Sequence, residues 1–248
     1  MDIPRIFTIS ESEHRIHNPF TPEKYATLGR VLRMKQGTRI LDLGSGSGEM
    51  LCTWARDYGA IGTGIDISPL FTAQAKKRAD ELGVSERVHF SHNDAAGFVA
   101  DVKCDVAACV GATWIAGGVA GTIKLLAKSL KPDGLILIGE PYWRKVPATK
   151  EIAQACGVSS VADFLTLPDL VASFGEQGYD LVEMVLADQE GWDRYEAAKW
   201  LTMRRWLDTH PDDDFAAEVR AELNISPKRH VTYVREYFGW GVFALIAR

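Results

Sequence analysis

From residue 38 onward, short runs of apolar residues alternate with longer stretches in which apolar positions recur every three or four residues. That is the rhythm of a parallel sheet flanked by helices. Strands are predicted at 39–43, 60–65, 88–91, 104–110 and 135–139, with a sixth at 179–186 and a last at 237–246. The fourth and fifth are apolar almost throughout, as strands covered on both faces are. Ser68-Pro69 and Thr21-Pro22-Glu23 combine a capping hydroxyl with a proline at the first helical position, so helices begin there, and Gly83 ends the first of these two. Lys131-Pro132-Asp133-Gly134 predicts a turn into the fifth strand. Beyond it the alternation loosens: 141–166 is expected to be an inserted loop and helix, 168–177 a core helix, and 188–235 a helical insertion preceding the last strand.

The pattern therefore predicts one α/β domain over 1–248, with an N-terminal lid or helix at 1–37, a core at 38–187, the insertion at 188–235 and a closing strand at 236–248. With 46% hydrophobic and 25% charged residues the chain has ordinary globular composition. A formal net charge of −5 argues against a surface that tracks phosphates, and the pairs Arg204-Arg205 and Lys228-Arg229 are too small to make one, so no nucleic-acid partner is expected. Cys52, Cys104, Cys109 and Cys156 show neither a C-x-x-C pair nor histidine at zinc spacing, so no metal is expected and free thiols in a reducing compartment are. Arg5, Glu11 and Glu13 break any leader-like apolar run, and no stretch elsewhere approaches the ~20 apolar residues of a membrane span; a cytoplasmic protein is the expectation. Nothing in the sequence speaks to oligomeric state.

The candidate chemistry begins at Asp42-Leu43-Gly44-Ser45-Gly46-Ser47-Gly48, three alternating glycines between a strand and a helix. A backbone without Cβ atoms is needed where a ligand lies against a sharp strand-to-helix turn. The second strand ends in Gly64-Ile65-Asp66, an acid 22 positions after Gly44 and suited to both hydroxyls of a ribose. An adenosine-containing ligand follows. A dinucleotide loop spaces its glycines G-x-G-x-x-G to seat a pyrophosphate on a helix N-terminus. Here the spacing is G-x-G-x-G, and Asp42, two residues before the first glycine, repels a pyrophosphate but suits the cationic amino-acid end of S-adenosylmethionine.

The stretch from Asp42 to Gly48 matches without a gap the D-x-G-x-G-x-G motif of the class I S-adenosylmethionine-dependent methyltransferases, and the chain resembles that family over about residues 21–140 and again in the last strands. The resemblance implies a Rossmann-like, doubly wound, mainly parallel seven-stranded sheet and S-adenosyl-L-methionine as cofactor. It implies that Gly44, Ser45, Gly46 and Gly48 line the methionine part, and that Asp66 holds the ribose with Ile67 beside the adenine. His92-Asn93-Asp94-Ala95-Ala96 looks like the adenine-binding motif, with Asp94 accepting from the amino group and Ala95 offering its N–H; Asp94 also suits a helix N-cap. Gly111, at the end of the fourth strand, would lie near the sulfonium. Gly111-Ala112-Thr113 departs from the Asn/Asp-Pro-Pro that methyltransferases acting on base amino groups or glutamine amides carry, which disfavours those acceptors.

Methyl transfer by in-line displacement to a small-molecule acceptor is the expected reaction, with no membrane involved. A base is required only if the acceptor must lose a proton. Glu140 and Tyr142, just past the fifth strand at the ligand-binding end of the sheet, and His17, in a segment that closes the site in many members of the family, are the catalytic candidates. The same positions suit structural hydrogen-bonding groups, and His14 and His17 also read as exposed histidines without a role. Trp192, Tyr195, Trp200 and Trp206 read mainly as core of the insertion, or as walls of an apolar acceptor pocket. Two alternatives stay open: a nicotinamide-dependent oxidoreductase, which shares the strand, glycines and distal acid, and a cofactor-binding module without catalysis.

Overall fold

The structure, a computed structural model, describes residues 3–248, so Met1 and Asp2 of the N-terminal segment lie outside it. Strands β1 (Arg39–Leu43), β2 (Ile61–Asp66), β3 (Val88–His92), β4 (Cys104–Val110), β5 (Leu130–Trp143), β6 (Tyr179–Leu186) and β7 (Phe238–Ala247) form one sheet in the order β3-β2-β1-β4-β5-β7-β6. Pairing is parallel from β3 to β5, and β7 runs antiparallel to both of its neighbours. The strand order reverses direction beside β1, the point where open α/β sheets bind ligands at the carboxyl ends of their strands.

Alternate residues of each central strand feed two cores. Ile40, Val106, Ala108, Leu137 and Val242 face α2 (Pro22–Val31), α3 (Glu49–Tyr58) and α4 (Pro69–Glu81). Leu41, Ala107, Cys109, Ile138 and Phe243 face α5 (Val119–Ala127) and α7 (Leu167–Glu176). This two-sided burial is the physical reason the strands are apolar throughout. The expected helix starts form as read: the Thr21 and Ser68 side chains accept from Lys24 N and Phe71 N, each with proline in the first turn.

Two boundaries differ from expectation. The fifth strand begins at Leu130 and runs through Pro141 to Trp143, where a loop was expected. β4 has ended at Val110, so at Pro141 only β7 remains as a neighbour, and a proline is tolerated where one side of a strand has no partner. The Lys131–Gly134 turn is present but folded into the strand: Leu130 pairs with Cys104 and Leu135 with Val106, and Asp133 bends the excess chain outward at φ +61°.

The longer remaining helices are α1 (Arg5–Glu11), α6 (Lys150–Ala155), α8 (Gln189–Thr209) and α9 (Ala216–Arg229). The insertion is helical, and Asp188 caps α8 by accepting from Gly191 N at 2.8 Å. Trp192 at the start of α8 packs against Phe238 of β7, but the middle of the insertion does not pack on the sheet. Met203, Leu207 and Val219 enclose Ile9 of α1, so the N-terminal helix and the insertion share a core of their own. No helix among the described residues is long and apolar enough to cross a membrane.

Candidate active site

The glycine loop connects β1 to α3. Gly44, Gly46 and Gly48 all have positive φ, at +78°, +53° and +73°, a region that L side chains enter at a cost. Space is short as well: a Cβ on Gly44 would stand 2.6 Å from the Ala112 methyl carbon, and one on Gly46 equally close to Cδ2 of His17. The loop is tied to the end of β2 by Gly44 N and Ser45 N, which both donate to Ile65 O, at 2.8 and 3.1 Å. Asp66 completes the tie, accepting from Gly46 N on Oδ2 at 2.7 Å and from Ser68 N on Oδ1 at 2.8 Å. Both oxygens keep a lone pair for a ligand.

These residues wall a cavity of about 300 Å³ at the carboxyl ends of β1, β2 and β4. Of the candidates read from sequence, the cavity brings together His17, Gly44, Gly46, Asp66, Ile67, Asp94, Ala95 and Gly111. Asp94 Oδ1 accepts from Ala96 N at 2.8 Å, which closes a turn; no helix follows, so the capping alternative gives way to a turn at the cavity rim.

Asp42, Ser45, Gly48, Glu140 and Tyr142 do not line it. Gly48 is the cap of α3, backed by Phe90 and Ala75, and the Ser45 hydroxyl fills the space a Cβ on Gly64 would need. Asp42 lies beneath the loop, 3% exposed, and its Oδ1 is buried without a hydrogen-bond partner. Burial, with the nearby charge of Asp66 second, pushes its carboxyl up to about 7. Glu140 is buried behind the cavity wall, accepting from Thr113 Oγ1 at 2.7 Å; burial raises its carboxyl to about 7 against the opposing effect of that bond. Thr113 stands between Ala112 and Trp114, which do line the cavity. The Tyr142 ring lies over Gly239, where a Cβ would come within 2.3 Å of it, and its place is in the sheet core.

The four aromatics of the insertion do not reach the cavity either. Trp192 stacks towards Phe238, Trp200 meets His230 edge-on, Trp206 stacks on His210, and Tyr195 donates its hydroxyl to Glu11 at 2.5 Å. The apolar wall comes instead from Ile3, Pro4 and Phe7 of the N-terminal segment, Phe71 of α4, and Trp114 and Ile115 beyond β4. Trp114 is 51% exposed and presents its ring at the cavity. Its place directly after Gly111-Ala112-Thr113 was the available signal. No local signal existed for Ile3 and Phe7, whose role depends on where α1 docks.

A family model described as a methyltransferase domain matches residues 40–134. The uncharacterized protein YjhP of Escherichia coli (strain K12) is 84% identical over 248 residues, all of both chains. The crystal structure of an S-adenosylmethionine-dependent methyltransferase from Geobacter sulfurreducens in complex with S-adenosyl-L-homocysteine is 71% identical, with a TM-score of 0.98 over 100% of this chain and 99% of that one. The corresponding complex from Thiobacillus denitrificans is 69% identical over all of both chains, with a TM-score of 0.97. On this likeness over its whole length, and on a glycine loop, distal acid and sheet order that agree with it, the chain belongs to the S-adenosylmethionine-dependent methyltransferases.

Proposed function

We propose that this enzyme transfers a methyl group from S-adenosylmethionine to a small, largely uncharged acceptor by in-line displacement, in the cavity between the glycine loop and the N-terminal segment. The observation that carries the reading is the make-up of that one cavity: a backbone cradle and two carboxylates on one side, an apolar wall from Ile3, Phe7, Trp114 and Ile115 on the other, and about 300 Å³ between them. That is the small end of the range for ligand pockets, roughly 300–1,000 Å³. Among the described residues no Lys or Arg side chain lines it, and its two carboxylates, Asp66 and Asp94, disfavour an anionic acceptor.

The residues fit the cofactor. The unpartnered Oδ1 of buried Asp42, beneath the glycine loop, is an acceptor in want of a donor; an amino-acid ammonium reaching past the loop would supply one, and its charge would favour the ionised carboxylate. Gly44 and Gly46 would carry the methionine chain on bare backbone, Asp66 would take the ribose hydroxyls, and Ile67, Asp94 and Ala95 would hold the adenine. Ser45 and Gly48 shape the loop from outside the cavity. Gly111, at φ +95° with open space where a Cβ would stand, leaves room for the reacting centre. When bound, S-adenosylmethionine supplies an electrophilic methyl on a sulfonium, so the acceptor lone pair must be held opposite the sulfur. Holding it there is the chain's main contribution, since proximity and orientation supply roughly 7–11 kcal/mol in favourable cases. If the acceptor must lose a proton, Glu140, with a carboxyl near neutrality and Thr113 between it and the cavity, is the group suited to take it.

Calorimetric titration with S-adenosylhomocysteine tests the cofactor site. Micromolar binding by the wild type, weakened about a hundredfold or more in Asp66→Ala as charged hydrogen bonds to the ribose are lost, is expected. Unchanged binding in the variant would remove Asp66, and with it this cavity, from the reading. Labelled methyl transfer to a panel of small uncharged acceptors then tests the acceptor class.

A further inference from the structure

Glu11, at the end of α1, is a fully buried carboxylate on which side chains from two distant parts of the chain converge. Tyr195 of α8 donates its hydroxyl to Oε1 at 2.5 Å, His17 Nδ1 stands 3.3 Å from Oε2, and His14 Nδ1 stands 3.6 Å from the same oxygen. Burial pushes the Glu11 carboxyl up, but the His17 hydrogen bond and the charges of Lys199, His17 and His14 outweigh it and hold the carboxyl below its ordinary range. Glu11 is therefore an acceptor on both oxygens.

The directions of the neighbouring hydrogen bonds follow from the far end of the network. Gln74 of α4 gives its amide N–H to Ser12 O at 2.7 Å, which turns its Oε1, an acceptor only, towards Ser47 Oγ at 2.7 Å. The single Ser47 proton is thereby spent on Gln74, and the hydroxyl can only accept from His17 Nε2, also at 2.7 Å. The other nitrogen, Nδ1, faces ionised Glu11 and must donate as well. In this arrangement both ring nitrogens of His17 face acceptors, Glu11 and Ser47, and both are engaged, which leaves no lone pair free for an acceptor's proton. The connected groups begin and end in the N-terminal segment, at Glu11 and Ser12, and pass through Ser47 of the glycine loop. Meanwhile the His17 ring lines the cavity, against Gly46 and 4.2 Å from the Phe71 ring.

We propose that Glu11 and Tyr195 are positioning residues that hold His17 as a doubly donating cation, clasping the N-terminal segment to the glycine loop and so setting how fast the spent cofactor leaves. This rests on the reading of the cavity as the cofactor site. The acceptor's proton, where one must be removed, then goes to a group other than His17. Tyr195 and Glu11 touch neither cofactor nor acceptor and act only through the imidazole.

Two measurements on the full chain test the proposal. The first is nitrogen NMR of histidine-labelled protein with S-adenosylhomocysteine, with His17 assigned by loss of its signal in His17→Asn; both ring nitrogens are expected in the protonated range at neutral pH. The second is S-adenosylhomocysteine release by stopped-flow tryptophan fluorescence. Release is expected to be about fivefold faster in Tyr195→Phe, which deletes one hydroxyl, and more than about tenfold faster in Glu11→Gln. A neutral His17 in the wild-type complex, or wild-type release rates in a folded Tyr195→Phe, would overturn the proposal. Should Glu11→Gln fail to fold, Tyr195→Phe carries the test. Failure of the wild type to bind S-adenosylhomocysteine would instead overturn the cofactor reading, and the histidine spectrum of the free protein would still report on the clasp.

Discussion

The floor and the roof of the cavity are built by different means. The floor is backbone: Gly44, Ser45 and Gly46 N–H groups bonded to Ile65 and Asp66, all within 23 residues of one another, with both glycines in conformations that only glycine adopts without cost. The roof is side chain: Ile9 among Met203, Leu207 and Val219, Arg5 paired with Asp213 and Asp214, and Glu11 bonded to Tyr195 from 184 positions away. A backbone floor tolerates change in side chains around it but not an added Cβ. A roof held by a few side chains can be loosened while the sheet stays folded, which suits a surface that must admit and release ligand.

The largest effect expected from breaking the roof alone is that of Met203→Ala. It should cost about 2–5 kcal/mol in the stability of α1, α8 and α9, read as a fall in their hydrogen-exchange protection. β1 to β5 should stay protected; equal loss there would show roof and floor to be one cooperative unit. On the floor, Gly46→Ala combines a positive φ with a Cβ 2.6 Å from the His17 ring and should weaken S-adenosylhomocysteine binding about a hundredfold, with unchanged far-ultraviolet dichroism.

Asp42 sharpens the same side of the comparison through pH. Its carboxyl, raised to about 7 by burial and Asp66, holds its proton in the free protein below that pH, whereas the ammonium of the proposed cofactor pose would favour the ionised form. Affinity should rise with pH up to about 7, by at most about tenfold per unit, and then level off. Asp42→Asn should flatten that profile. The sign for stability is opposite: a carboxyl raised in the folded state stabilises the free protein at low pH, and the contribution is lost as pH rises through about 7. The smallest effect belongs to Arg5→Ala at the roof's exposed edge, a slight fall in melting temperature that shrinks in high salt as its pairs with Asp213 and Asp214 are screened.

This division also decides what could be read from sequence. Strand positions and the floor were legible because their causes are local: two-sided apolar runs, capping hydroxyls before prolines, and the run from Asp42 to Gly48 with Asp66 beyond it. The spacing of those glycines and Asp42 favoured methyl transfer over a dinucleotide-dependent reaction, and membership of the methyltransferase family agrees. Pro141 read as the end of a strand because its missing N–H is costly inside a sheet, yet at that position only β7 is present to pair. Trp192, Trp200 and Trp206 are spent on packing the insertion and its contacts, so aromatic content there did not reveal the wall of the cavity. Glu11 gave no signal at all, since an acid in a short helix reads as surface until Tyr195 is known to stand beside it.

β7 lies between β5 and β6, pairing along Leu135–Ile246 through Trp143–Phe238 on one side and Tyr179–Ala247 through Leu186–Gly241 on the other. During synthesis, β5 and β6 emerge first, and α8 and α9 must follow before the strand that joins them exists. Until then both present open edges, and Glu140 and Tyr142 lack Gly241 and Gly239 opposite them. The sheet behind the cavity wall is thus finished last, by insertion of a strand into an interior slot, so a nascent chain lacking Phe238–Ala247 can complete the glycine loop but not that sheet.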